Sequence, residues 1–340
     1  MKSNFDKISE IIKKGVDKSD FPGAQFCLIE NNKISCGFYG YNAIYPRKVK
    51  LNGDEVYDIA SLSKIISTTT LILQLIEKGI ISLKTTLKSL LNNYFDDKTT
   101  IYQLLTHQSG LPPIVSNSNK LFSKADLLEQ IYQERFSYEP ETKIVYSDVG
   151  YLLLGLVIEQ LYEKPLNEVA KNEIFKKIKM NNTTYRPNFY KSVVTEYRDD
   201  LLFKGYVRGV VHDERSFLFE GLAGHAGVFS TAKDIAKYIQ SFLNDEKILK
   251  NKTKEQIYNL TITKASNYDY DLTRTLGFQK FTSMPETNNY LITHTGFTGC
   301  NMWIDKKNKR GFVLLSNAIH PKREDNKIFS YREDILKLFV

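Results

Sequence analysis

Strand-like runs stand near both ends of this 340-residue chain, and helical spacing dominates the stretch between them. The early run is "GAQFCLIENNKISCGFYG", where two alternating segments flank Asn31-Asn32, a hairpin signal. The late runs are "LGFQKF" (276–281), "NYLITHT" (289–295), "GCNMWID" (299–305) and "GFVLLSN" (311–317). Their short connections are too brief for crossover helices, so the late strands are antiparallel. A sheet drawn from both ends of a chain requires an insertion between its halves. The expected architecture is therefore α/β (α+β): an antiparallel sheet flanked by helices, with a mostly helical inserted domain. The expected boundaries are 1–84 with 225–340 for the sheet domain and 85–224 for the insertion, with the active site in the cleft between them.

Several helices can be read in detail. Phe5, Ile8, Ile12 and Val16 recur at helical spacing near the start. Residues 61–78 form a helix with Leu71, Ile72, Leu75 and Ile76 inward, ended by Lys78-Gly79. "SKADLLEQIYQE" (123–134) and "DVGYLLLGLVIEQLY" (148–162) are the clearest helices of the insertion, and residues 205–228 read as a glycine-rich loop. Thr231 is the expected N-cap of the next helix, with Asp234 in its first turn. "SYRE" (330–333) reads as a capping box opening the last one.

Composition narrows the partners. The net charge is +8, but the lysines are scattered, with small clusters only at "KKNKR" (306–310) and "FKKIK" (175–179). The first reads as a hairpin turn and the second as a solvated helix face. No basic stripe with interleaved aromatics is present, so no nucleic acid is expected as partner. Cys27, Cys36 and Cys300 make an odd count without a C-x-x-C pair. A disulfide framework and a zinc cluster are not expected, and the cysteines read as small buried hydrophobes. The first twenty residues lack the apolar core of a signal peptide, and no stretch is apolar enough for a membrane span. A cytoplasmic protein is the default expectation, and oligomeric state is not legible.

The chemistry begins at "VYDIASLSKIISTTTLILQLIEKG" (56–79). A serine hydroxyl needs a base before it can attack. On a helix, residues i and i+3 share a face, which sets Lys64 beside Ser61. Burial would disfavour the charged amine and make it a usable base. The free N–H groups of the helix start can hold a developing oxyanion. A second Ser-x-x-Lys, Ser230–Lys233, falls in a helix-capping stretch, with its lysine toward solvent.

Ser61–Lys64 is followed by Tyr146 and Asp148 in "YSDVGY", and later by His294, Thr295 and Gly296 in "THTGFTG". Tyr-x-Asp occurs three times, at Tyr94, Tyr146 and Tyr197, so it is the ordered set that informs. In that order and at that wide spacing, the chain resembles the serine β-lactamase and penicillin-binding protein superfamily, in its class C branch of DD-peptidases, D-aminopeptidases, amidases and esterases. "TIYQLLTHQSGLPP" (100–113) and "GLAGHAGVFSTAKDIAKY" (221–238) are similar too, and the likeness runs from about Pro22 to Asn317. It implies a β-lactamase-like fold and a covalent acyl-enzyme on Ser61. It implies general acid–base work by Lys64 and Tyr146, and an oxyanion hole from the N–H groups of Ser61 and Phe297. Thr295 and Gly296 would line the strand that meets substrate, His294 would stand where many relatives have lysine, and His225 would reach the substrate rim. The substrate would be a small-molecule ester or a D-amino-acid peptide, with no cofactor and no metal.

Two departures shape the expectation. Asp148 replaces an asparagine, and a carboxylate can only accept hydrogen bonds where an amide also donates. It would also favour the charged form of Lys64. His294 is mostly neutral at pH 7 and holds a carboxylate more weakly than lysine. Both changes point away from β-lactamase activity and toward an esterase or peptidase. Two alternatives stand beside this one. The first is a catalytically weak penicillin-binding or cell-wall-sensing relative. The second is a metal-dependent hydrolase using His212 and His225 from "VHDERSF" and "GHAG". His107 is expected to bond the turn that follows it, and His320 to lie in a surface loop.

Overall fold

The structure, a computed structural model, describes residues 2–340. Its main sheet has nine strands, every neighbouring pair antiparallel. Across the sheet they run Val49–Lys50, Lys33–Ala43, Gly23–Glu30, Arg310–Ser316, Asn301–Asp305, Leu291–Thr295, Gln279–Lys280, Leu272–Arg274 and Ile262–Lys264. The first hairpin therefore sits beside the last long strand, as two separated halves require.

Side-chain alternation explains why the central strands Gly23–Glu30, Asn301–Asp305 and Arg310–Ser316 carry apolar residues on both sides. Phe26, Leu28, Trp303, Phe312 and Leu314 pack on one face with the terminal helices Asn4–Asp17 and Ile328–Phe339. Cys27, Ile29, Met302, Ile304, Val313 and Leu315 pack on the other with the helix Ala232–Asn244 and the segment that starts at Ser61. Both faces are covered, so neither set of alternating positions needs to be polar. Thr231 caps the Ala232–Asn244 helix by accepting from the Asp234 N–H, as its spacing predicts.

The chain between the sheet halves holds the helices Lys124–Gln133 and Asp148–Tyr162, several shorter ones, and long loops. It also holds a hairpin, Val194–Asp199 with Lys204–Arg208, inside segments read as helical and as loop. A short helix, Glu214–Leu218, lies within the expected 205–228 loop. No helix is long and apolar enough to cross a membrane among the described residues.

Three expectations are overturned here. Cys27 and Cys36 form a disulfide, because the hairpin register sets them directly opposite one another with Cα atoms 4.1 Å apart. Cys300 alone is free, and it is buried. The last helix starts at Ile328, so Ser330 lies inside it and caps nothing; the Ile328 N–H instead donates to Asn326 Oδ1. Ile328 is fully buried, and its packing sets the earlier start. His320 is not on the surface. Its Nε2 accepts from the N–H groups of Ile44 and Tyr45, and its Nδ1 meets the Thr195 carbonyl. Burial draws its pKa down to about 4, so the ring stays neutral and can accept at one nitrogen while donating from the other.

Candidate active site

The segment predicted as one helix over 61–78 is three conformations in series: a tight turn at Ala60–Leu62, a widened π-helical stretch at Lys64–Thr69, and an α-helix over Thr70–Glu77. Hydroxyl side chains hold the wide part. Thr68 Oγ1 donates to the Gly224 carbonyl, Thr70 Oγ1 to that of Ile65, and Ser67 Oγ accepts from the Tyr185 hydroxyl. Ala60, just before Ser61, has φ +46°, a left-handed conformation that alanine adopts only under constraint. Asp58 supplies that constraint: its Oδ1 accepts the Ala60 N–H at 2.8 Å, and its Oδ2 accepts the His212 N–H at 2.8 Å.

Lys64 is fully buried, and its Nζ donates to Ser61 Oγ at 3.0 Å and to the His225 carbonyl at 3.0 Å. The same nitrogen lies 2.8 Å from Asp148 Oδ1, off the hydrogen-bonding direction of that oxygen. Burial alone would lower the lysine pKa, but the Asp148 carboxylate, with the Tyr146 phenol beside it, raises it above the ordinary lysine range. Of the two opposing influences expected at this amine, the carboxylate prevails: burial by itself would favour the neutral form, and Asp148, as its position predicts, favours the charged one. Ser230–Lys233 has no such arrangement, for Ser230 is buried against Thr183 and Lys233 is exposed.

Tyr146 is half-buried in a cage of rings and cations. Its ring lies 4.6 Å from His107 and 6.0 Å from His294, centroid to centroid, with the Arg274 guanidinium 5.2 Å from the ring centre. The Lys64 ammonium is 4.9 Å from the same ring centre. His107 does not bond the turn after it. Its Nδ1 accepts the Ser147 N–H at 3.1 Å, fixing the start of the Asp148–Tyr162 helix and so the direction of Tyr146.

The strand Leu291–Thr295 ends beside Ser61. Gly296 lets the chain turn there: a Cβ at this position would lie 2.5 Å from the Ile59 carbonyl oxygen. Gly224, in the loop that presents the His225 carbonyl to Lys64, is packed in the same way, with an added Cβ 2.1 Å from the Tyr151 oxygen. Phe297 is about half exposed, and its backbone N–H has no acceptor among the described residues. Ser61, Tyr146, Asp148, Thr295, Gly296 and Phe297 all line one cavity of about 750 Å³.

His294 and His225 line the same cavity, but both are buried rather than presented at its rim. His294 has its pKa held well below the ordinary range, by burial first and then by Arg274 and Lys64. It is therefore a neutral ring, and it hydrogen-bonds to the Thr295 carbonyl through Nδ1 at 2.8 Å. His225 pairs through Nε2 with Asp213 Oδ1 at 2.7 Å, and Asp213 also receives Arg215 at 2.8 Å.

Metal binding was expected, if anywhere, at His212 and His225. Among the described residues the grouping is different: Asp148, Asp213 and His225 each place one donor atom within 4.8 Å of the others. His212 is engaged elsewhere, with Nε2 2.7 Å from Glu196 Oε2. Lys64 and Arg215 already balance the two aspartates of the group, so it is electrostatically complete without an added cation.

Arg274 escaped the sequence reading. It is buried, its Nε and Nη1 have no partner among the described residues, and it faces the cavity beside Tyr146. A buried guanidinium without a carboxylate is costly unless something else supplies the negative charge. Nothing local in "LTRTLG" marks it, since the arginine reads as an ordinary outward residue of a strand.

The profile of the family described as Beta-lactamase matches residues 8–337. An N-acetylmuramyl-L-alanine amidase of Bacillus subtilis (strain 168) is 28% identical over 366 residues, covering 92% of this chain and 81% of the amidase. A putative D-alanyl-D-alanine carboxypeptidase of Salmonella typhi is 28% identical over 358 residues, covering 91% and 81%. Among solved structures, a β-lactamase/D-alanine carboxypeptidase from Pseudomonas syringae superposes with a TM-score of 0.76 at 18% identity, over 98% of both chains. An octameric penicillin-binding protein homologue from Pyrococcus abyssi superposes with a TM-score of 0.74 at 20% identity, over 98% of this chain and 82% of the other.

Proposed function

The chain belongs to the beta-lactamase family, and on that premise we propose that it is a serine hydrolase that cleaves an amide bond next to alanine through an acyl-enzyme on Ser61. The observation that carries this reading is the buried Lys64 ammonium, 3.0 Å from the Ser61 hydroxyl on the floor of an open cavity. The names of the relatives narrow the bond: one is an amidase at N-acetylmuramyl-L-alanine, the other a putative D-alanyl-D-alanine carboxypeptidase. Both names describe amides of alanine, which favours an amide over the ester alternative.

In this reading Ser61 Oγ attacks the amide carbon. The coupled Lys64–Tyr146 pair takes the hydroxyl proton and delivers it to the departing amine. The carbonyl oxygen, now an oxyanion, lies between the N–H groups of Ser61 and Phe297. Water then attacks the acyl-enzyme, with the same pair as base. Arg274 receives an anionic group of the substrate, a task the neutral His294 ring cannot perform.

A hydrolysis panel tests the reading: N-acetylmuramyl-L-alanine, a D-Ala-D-Ala peptide, a D-amino-acid amide, a p-nitrophenyl ester and nitrocefin. Steady turnover of an alanyl amide is the expected result. A burst without turnover on every substrate would mark a sensor instead. Arg274→Ala should raise KM by about 10- to 100-fold for a substrate with a free carboxylate, the weight of a hydrogen bond to a charged group. Its carboxamide analogue should show no such change, and equal losses on both would remove the anion contact.

Asp148→Asn tests the electrostatics. With the carboxylate present, the proton-accepting form of the pair is favoured only at high pH, so kcat/KM should rise on the alkaline side. Without it, burial dominates at Lys64 and its pKa falls. The alkaline limb should then move at least ~1 pH unit lower, the usual effect of a neighbouring opposite charge. An unmoved limb would detach Asp148 from the titration.

A further inference from the structure

Phe297 carries the N–H assigned above to the oxyanion hole, yet its ring is held from a different part of the chain. The His212 ring lies nearly parallel to it, 25° between planes and 5.5 Å between centroids. The Arg323 guanidinium also lies against it, 5.2 Å from the ring centre. These two groups come from separate segments of the chain, and one carboxylate binds both. Glu196 Oε2 meets His212 Nε2 at 2.7 Å and Arg323 Nη2 at 2.7 Å. Its Oε1 accepts from Arg323 Nε at 2.8 Å and from the Arg323 backbone N–H at 3.0 Å.

We propose that Glu196 is a positioning residue for the oxyanion hole, clamping the Phe297 ring between His212 and Arg323 so that the Phe297 N–H points into the cavity. This rests on the reading of Phe297 as an oxyanion donor. Glu196 is 5% exposed, and it comes from the hairpin strand Val194–Asp199, while Phe297 and Arg323 come from the C-terminal part of the chain. The clamp therefore ties the inserted segment to the turn after Leu291–Thr295. The same His212 fixes the serine side, because its backbone N–H is held by Asp58, which also holds the Ala60 N–H next to Ser61. Thr298 Oγ1 closes the circuit by donating to the Asp58 carbonyl at 2.7 Å. Both proposed donors are thus set by one connected network, in which His212, Arg323 and Phe297 line the cavity and Glu196 stands behind them. Phe297 is half exposed and sits in a turn, so without these contacts little else would fix its ring.

The test is a double-mutant cycle between Glu196→Gln and Phe297→Ala, the second of which keeps the backbone donor and removes only the ring. On the best substrate of the panel, each single variant should lower kcat by about 10-fold or more, the effect of a misplaced catalytic group. KM should stay within about twofold, since the donor acts on the transition state. The double variant should be no worse than the worse single one. Additive losses, or a loss seen only in KM, would overturn the proposal. Should Glu196→Gln not fold, Arg323→Met, at a partly exposed side chain, enters the same cycle with the same two outcomes. Ser61→Ala separates this inference from the function it rests on. If that variant still turns over, the acyl-enzyme reading has failed; if it is inactive and the cycle is additive, only the clamp has.

Discussion

Ser61→Ala should lower turnover of the alanyl amide by at least ~10⁴-fold while leaving the protein folded, as loss of a nucleophile does where catalytic groups act as a unit. Ser61 Oγ is the one hydroxyl that receives the Lys64 ammonium among the described residues. Its neighbours Ser63 and Ser67 are committed elsewhere: Ser63 Oγ accepts the Val228 N–H, and Ser67 Oγ meets Tyr185. Neither neighbouring serine is therefore free to substitute. Circular dichroism and thermal melting check the fold, and steady-state kinetics measure the loss. Activity within tenfold of wild type would place the nucleophile elsewhere.

Lys64→Ala and Tyr146→Phe should each lower kcat by at least ~10²-fold, the weight of a positioned acid or base. The two reach that loss differently. Lys64→Ala also leaves the Asp148 carboxylate without its ion-pair partner and the His225 carbonyl without its donor, so it should cost stability as well. Tyr146→Phe keeps the ring among His107, His294 and Arg274 and removes only the hydroxyl, so its melting temperature should stay near wild type. If the pair acts as a unit, the double variant should lose much less than the product of the single losses. A fully multiplicative loss would show two independent roles, and unchanged rates would remove both.

The sheet was legible because its central strands are apolar on both faces and bounded by short turns, a pattern that local residues carry by themselves. The Asn31-Asn32 hairpin and the late strands lie where the alternation puts them. The hairpin at Val194–Asp199 was hidden by its own chemistry. Its inward positions hold Glu196 and Arg198, which read as solvent-facing charges but are buried, Arg198 against the His212 carbonyl and Glu196 against Arg323, far away in sequence. The disulfide was missed because counting cysteines ignores register: Cys27 and Cys36 meet only once the hairpin is paired. At the site, Ser61, Lys64 and Tyr146 were picked out by ordered motifs and the opposing influences of burial and Asp148 on Lys64 could be named, but the sign of the net shift could not. That sign depends on whether a carboxylate at residue 148 lies within a few ångströms, which only the three-dimensional arrangement decides. Arg274 and the Glu196 clamp are likewise invisible locally, since Arg274 meets Tyr146, and Glu196 meets Arg323, across more than a hundred residues.

The central claim is that substrate becomes covalently attached to Ser61. Rapid quenching of the reaction with an alanyl amide or a fluorophosphonate probe, followed by intact-mass and peptide mass spectrometry, tests it most directly. The account predicts a single adduct on the peptide that carries Ser61, absent from Ser61→Ala. An adduct on another residue, or full turnover with no covalent species in either protein, would contradict it.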